Sequence, residues 1–93
     1  MVRKRWSDEE MILALYLYRF GYEDLKLNYT QISDIIGRSP NSIIMRFSNY
    51  LNVEREGVGL SGGGERVKEI YQQYINRPKE DLKHIVIELL NKR

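Results

Sequence analysis

Residues 37–51 carry arginine, serine and asparagine side chains but no acidic side chain. Guanidinium and hydroxyl groups hydrogen-bond to phosphate oxygens, and an asparagine amide can form two hydrogen bonds with the edge of adenine. At helical spacing, one side of the segment is apolar and consists of Ile43, Phe47, Tyr50 and Leu51. Beside or opposite that stripe lie Asn41, Ser42, Arg46 and Asn49. The pattern predicts a helix that buries one face and presents the other to a partner, for which we favour DNA.

Three local signals place the start of this helix. Gly37 can adopt the positive φ that ends a preceding helix, and the Ser39 hydroxyl can cap the next one. Pro40 fits the first helical position, where a missing N–H leaves no hydrogen bond unmade. Together they predict a helix-turn-helix whose second helix, the third of the chain, covers residues 40–53. Within it, we expect Phe47 to anchor the helix between the first two helices.

Residues 7–36 predict the two helices that precede the turn. Ser7 and Glu10 have the spacing of a capping box, so helix one is expected over residues 8–19. Its buried side would contain Ile12, Leu13, Leu15, Tyr16 and Phe20. After a loop at residues 21–28, helix two is expected over residues 30–36, with Ile32, Ile35 and Ile36 facing inward.

The remaining chain predicts two further helices after a glycine-rich link at residues 57–64. The link lacks the preceding strand and the GK[ST] ending of a phosphate-binding loop, so we interpret it as a connector. Helix four is expected over residues 65–76, and Pro78 opens helix five. We therefore predict an all-α fold with one helical domain at residues 7–93: a helix-turn-helix core at 7–53 followed by two packed helices at 65–92. These two helices either complete the core, which we favour, or form a dimer surface.

Composition disfavours an enzyme or a metal site. The chain has no cysteine, and His84 is its only histidine, so neither a thiolate site nor a histidine pair is available. His84 has Asp81 and Glu88 at helical spacing, but such neighbours are ordinary surface pairs. We expect no catalytic residue, no cofactor and no metal ligand.

Charge is distributed unevenly, although the net charge is only +2. Residues 1–6 form a basic arm through Arg3, Lys4 and Arg5. Such an arm can enter the minor groove or follow the DNA backbone, and a solubilising terminus is the alternative.

The residues at 6–51 resemble a Myb/SANT-type three-helix domain. Residues 6–10, Trp-Ser-Asp-Glu-Glu, match the opening Trp-Ser/Thr-x-Glu-Glu of that family, and GRSPNSIIMRF matches its turn and third helix. The resemblance implies a DNA-binding fold whose three core aromatic positions are Trp6, Tyr29 and Phe47. Residues 6–74 are also similar to N-terminal DNA-binding domains of HNH-type restriction endonucleases, although the HNH motif itself is absent from this chain.

The Myb-like resemblance implies that Ile44, Met45, Ser48 and Asn49 lie nearest to the base edges. For Ile44 we favour packing against helix four or five, and for Met45 both alternatives stay open. We expect Asn49, on the outer side of the helix, to read adenine. Arg38, Ser39, Ser42 and Arg46 suit phosphate contacts. The predicted DNA-binding set is Arg3, Lys4, Arg5, Arg38, Ser39, Asn41, Ser42, Met45, Arg46, Ser48 and Asn49.

We thus predict a double-stranded DNA-binding protein, either a small transcription regulator or a detached recognition module of a restriction or mobile-element system. A homodimer or a second DNA-binding protein can add affinity. The alternative is a SANT-like protein-interaction domain that uses the acidic helix one and the tyrosines Tyr16, Tyr18, Tyr22, Tyr71 and Tyr74. No signal peptide or membrane span is predicted, so we expect a cytoplasmic, nucleoid-associated protein, or one inside the host cell if it is viral.

Overall fold

The computed structural model describes residues 6–56 and 64–92, and within those ranges the chain is helical and contains no strand. The elements are α1 (Asp8–Phe20), a short 3-10 turn (Glu23–Leu25), α2 (Tyr29–Ile36), α3 (Pro40–Glu56), α4 (Gly64–Tyr74) and α5 (Lys79–Lys92). The predicted all-α class is confirmed, and α3 extends beyond its predicted end at residue 53. Most of the predicted glycine-rich link, at residues 57–63, lies outside the described residues. None of the helices in the described ranges is long and apolar enough to cross a membrane.

Hydrogen bonds at the helix starts explain where α1 and α2 begin. The Glu10 N–H donates to Ser7 Oγ at 3.1 Å, and the Ser7 N–H donates to Glu10 Oε1 at 2.8 Å, which completes the predicted capping box. A second capping box joins Asn28 and Gln31, with N···O distances of 2.8 and 2.9 Å. This second box starts α2 at Tyr29, one position before its predicted start.

α1 is the central helix of the fold, since it packs against α3, α4 and α5. Residues 11–17 are all buried, whereas the sequence predicted a single buried side. The difference arises because α4 and α5 supply Val67, Ile70, Leu82, Val86 and Leu89 to the same core. These two helices therefore complete the core, as favoured from the sequence. The prediction that Tyr16 can serve as a surface residue is wrong, because its side chain is fully buried.

Two aromatic residues hold α3 against the rest of the fold. Tyr50 is fully buried, and its hydroxyl donates to the Met11 carbonyl at 2.7 Å. This burial raises the pKa of Tyr50 above its usual value. Phe47 is half-buried between the Tyr18 and Tyr29 rings, with centroid separations of 6.2 and 5.9 Å, so it contacts both α1 and α2 as predicted. Leu51, which was predicted to join the apolar stripe, is instead 40% exposed.

Candidate nucleic-acid interface

The turn between α2 and α3 has the predicted backbone geometry. Gly37 adopts φ 73°, a left-handed conformation that favours glycine, and the Arg38 N–H donates to the Ser33 carbonyl at 2.9 Å. The Ser42 N–H then donates to Ser39 Oγ at 3.2 Å, which caps α3 as expected. Since only residues 37–39 separate the two helices, α2 and α3 form a helix-turn-helix.

A buried ion pair fastens this turn to α1. Glu10 is fully buried, and its Oε1 lies 3.1 Å from Nη2 of Arg38, whose side chain is 11% exposed. Buried charges are stable only when they are paired and hydrogen-bonded, so Arg38 and the Ser7 N–H together hold the Glu10 carboxylate. The predicted phosphate contact of Arg38 requires its guanidinium to face solvent, and this arrangement argues against it.

Trp6 brings two guanidinium groups together beside α3. The Arg38 and Arg46 guanidinium carbons lie 4.9 and 4.8 Å from the centroid of the Trp6 ring, within the range of cation–π contacts. Burial lowers the pKa of Arg46 from its usual value, although an arginine remains protonated at neutral pH. The predicted arm residues Arg3, Lys4 and Arg5 lie outside the described residues.

The outer face of α3 is a continuous exposed surface without acids over residues 40–53. Its members recur at helical spacing and are Asn41, Ile44, Met45, Ser48 and Leu51. Met45 is 67% exposed and Ile44 is 47% exposed. The prediction that Ile44 packs against α4 or α5 is therefore wrong. The exposure of Ile44 could have been predicted from helical spacing. Ile43 and Tyr50 lie on the buried side of α3, and a helix with that side buried places Ile44 toward solvent.

The predicted position of the Asn49 side chain is wrong. Its side chain was expected on the outer side of α3, but the residue is only 7% exposed. α3 packs against α1, α2 and α4, so its covered surface is wider than a single apolar stripe and includes position 49. An asparagine in this position cannot reach a base edge while the fold stays as it is.

The other predicted residues of α3 and its turn keep access to solvent. Ser39, Asn41 and Ser48 are exposed like Met45, whereas Ser42 and Arg46 are half-buried. The hydroxyls of Ser39 and Ser42 lie 2.9 Å apart and are hydrogen-bonded to each other. The described ranges contain no cluster of histidine, cysteine and acidic residues that could hold a metal ion.

The three-helix unit, its turn and the exposed outer face of α3 define a DNA-binding domain of the helix-turn-helix class. A family model described as Myb-like DNA-binding domain matches residues 3–59, which is more than half of the chain, and the protein belongs to this family. Comparisons with curated proteins and with solved structures gave no match. The family is non-enzymatic. Membership in it indicates that the protein binds DNA in general. α4 and α5 lie beyond the matched residues.

Proposed function

We propose that the protein binds double-stranded DNA by placing the outer face of α3 in the major groove. The observation that carries this proposal is the exposed surface of α3, free of acids over residues 40–53, in a Myb-like helix-turn-helix. An α-helix fits a groove that is about 12 Å wide, and side chains in its centre then meet the base edges. We further propose a cytoplasmic role at the nucleoid, as a small regulator or a detached recognition module.

The phosphate contacts would come from residues at the edges of this face. Ser39 and Asn41 stand at the N-terminal end of α3, where the helix dipole and the hydroxyl and amide donors favour an anionic phosphate. Arg46, whose guanidinium lies over the Trp6 ring, supplies a full positive charge. The basic residues Arg3, Lys4 and Arg5 would add contacts to the DNA backbone or the minor groove. Arg38 and Asn49 are left out of the proposed interface, since both side chains are largely enclosed.

Part of the surface predicted for the alternative, a protein-interaction domain, is buried in the structure. Glu10 and Tyr16 are fully buried, so neither the whole acidic patch nor the whole tyrosine set is available. Tyr71 is half-buried and donates to Glu54 at 2.9 Å. Burial, assisted by this carboxylate, raises the pKa of Tyr71 to about 12. The Tyr71 hydroxyl is thus hydrogen-bonded within the protein, and we retain DNA as the proposed partner.

Substitution of Arg46 tests the proposal through the salt dependence of binding. Arg46→Ala should weaken binding to random-sequence duplexes evenly, and should reduce the slope of log K against log salt by about one unit, as loss of one phosphate contact does. Fluorescence anisotropy of a labelled duplex at several salt concentrations measures both quantities. An unchanged affinity and slope would remove Arg46 from the interface.

Two further variants separate charge from packing in this experiment. Arg46→Lys keeps the charge but replaces the planar group on Trp6, so it should retain most of the slope. Arg77→Ala removes one positive charge from the exposed turn between α4 and α5 and should leave the slope unchanged. If Arg77→Ala alters the slope as much as Arg46→Ala, the effect comes from net charge and not from α3.

A further inference from the structure

The exposed apolar side chains of this protein are concentrated at the proposed interface. Among the described residues, the large hydrophobic side chains that remain exposed are Ile44, Met45, Leu51 and Ile87, and only Ile87 lies outside α3. Ile44 and Met45 are adjacent in the middle of the outer face, between Asn41 and Ser48. Since burying these side chains would favour binding, a cluster of them on one helix face marks a contact surface.

Few side chains at the centre of the same face can form hydrogen bonds with base edges. Asn49 is buried, and the Arg46 guanidinium stacks on Trp6, so neither amide nor guanidinium is placed for a bidentate contact with a base. Ser48 is the exposed polar neighbour of Met45, and its single hydroxyl discriminates weakly because it can both donate and accept. Asn41 keeps an exposed amide, but it lies in the first turn of α3 and not at the centre of the face. Recognition of bases by the centre of this helix must therefore depend largely on apolar contacts.

One apolar group in the major groove can supply such a contact. The C5-methyl group of thymine projects into this groove, where it distinguishes thymine from the other standard bases. The methyl group of 5-methylcytosine occupies the corresponding position on cytosine. An isoleucine and a flexible methionine can close around a methyl group and remove it from water.

We propose that Ile44 and Met45 recognise C5-methyl groups of pyrimidines in the major groove. This inference rests on the proposed DNA binding and gives that site its specificity. Removing one methyl group from water favours binding by about four-fold, so two methyl contacts would favour it by about fifteen-fold. Thymine and 5-methylcytosine share this chemistry, and the experiment must distinguish them.

The test compares duplexes that differ only in these methyl groups. A random-sequence pool is first enriched for bound duplexes, and the enriched pool is then prepared with thymine, with uracil in place of thymine, or with 5-methylcytosine in place of cytosine. If thymine is recognised, the uracil pool should bind at least about four-fold more weakly than the thymine pool. If methylated cytosine is recognised, the third pool should bind correspondingly more tightly.

Variants of the protein test whether side chains of α3 cause the difference in binding between the pools. The double variant Ile44→Ala, Met45→Ala should bind the three pools equally, and both residues are exposed enough for the fold to survive. Ile87→Ala removes another exposed hydrophobic side chain, this one from α5, and should retain the wild-type difference. A difference between the pools that persists in the double variant would contradict the inference, because it would arise elsewhere or from DNA shape.

The outcome also separates this inference from the proposed function. If wild-type protein binds all three pools equally and with a clear salt dependence, methyl recognition is wrong while DNA binding stands. If no pool is bound in a salt-dependent manner, both the proposed function and the methyl recognition are overturned.

Discussion

Glu10→Ala should lower the free energy of unfolding by about 3 to 5 kcal/mol, the range found when one partner of a buried ion pair is removed. The carboxylate accepts the Ser7 N–H and pairs with Arg38, so its loss leaves the Ser7 N–H without this acceptor and the Arg38 charge without this partner. The Ser7 hydroxyl still caps the backbone N–H of residue 10, so the expected loss of stability comes from the carboxylate. Because Arg38 lies in the turn before α3, the same change should loosen the helix-turn-helix from α1. Chemical denaturation monitored by circular dichroism measures the loss.

Neighbouring substitutions provide the comparison for Glu10. Glu9→Ala removes an exposed carboxylate from the same first turn of α1 and should change stability by no more than about 0.5 kcal/mol. Glu10→Gln keeps an oxygen that can accept the Ser7 N–H but loses the charge, so its stability should fall between those of the other two variants. Equal stability of Glu10→Ala and Glu9→Ala would show that the ion pair does not hold the turn.

Tyr50→Ala should destabilise the protein by about 3 to 5 kcal/mol, the usual cost of deleting a large buried aromatic side chain. Its ring is fully buried, and its hydroxyl bonds the Met11 carbonyl of the central helix. The same substitution at Phe47 should cost less, because Phe47 is only half-buried. From the sequence, Phe47 was expected to anchor α3 between the first two helices; the structure adds Tyr50 as the more deeply buried anchor.

Denaturation of three α3 variants decides between these anchors. Leu51→Ala serves as the control, since Leu51 is 40% exposed and its truncation should have the smallest effect of the three. We expect the loss of stability to increase from Leu51→Ala to Phe47→Ala to Tyr50→Ala. A larger loss for Phe47→Ala than for Tyr50→Ala would mean that the described packing of α3 is wrong.

Local signals made much of the fold predictable from the sequence. The capping box at Ser7, the positive φ of Gly37 and the cap at Ser39 each depend on residues within one helical turn, and the structure contains all three. The family resemblance at residues 6–51 likewise rests on motifs near Trp6 and the turn, and the family model covers the same region.

Contacts between distant parts of the chain account for what the sequence did not predict. Arg38 looked like a phosphate ligand, because its partner Glu10 lies 28 residues away and appeared to be only a capping residue. The burial of Asn49 and the burial of α1 on all sides depend on how neighbouring helices pack. Periodicity identifies an apolar face, but it cannot show how far neighbouring helices extend the covered surface.

The most direct test of DNA binding through α3 is an NMR titration that follows side-chain methyl groups as a DNA duplex is added. Met45 and Ile44 should shift or broaden, because both are exposed on the proposed interface. Met11, which is 6% exposed in the core, and Ile87, which is exposed on α5, should remain unchanged. Shifts at Ile87 with none at Met45 and Ile44, or no shift at any of these methyl groups, would contradict DNA binding through this face.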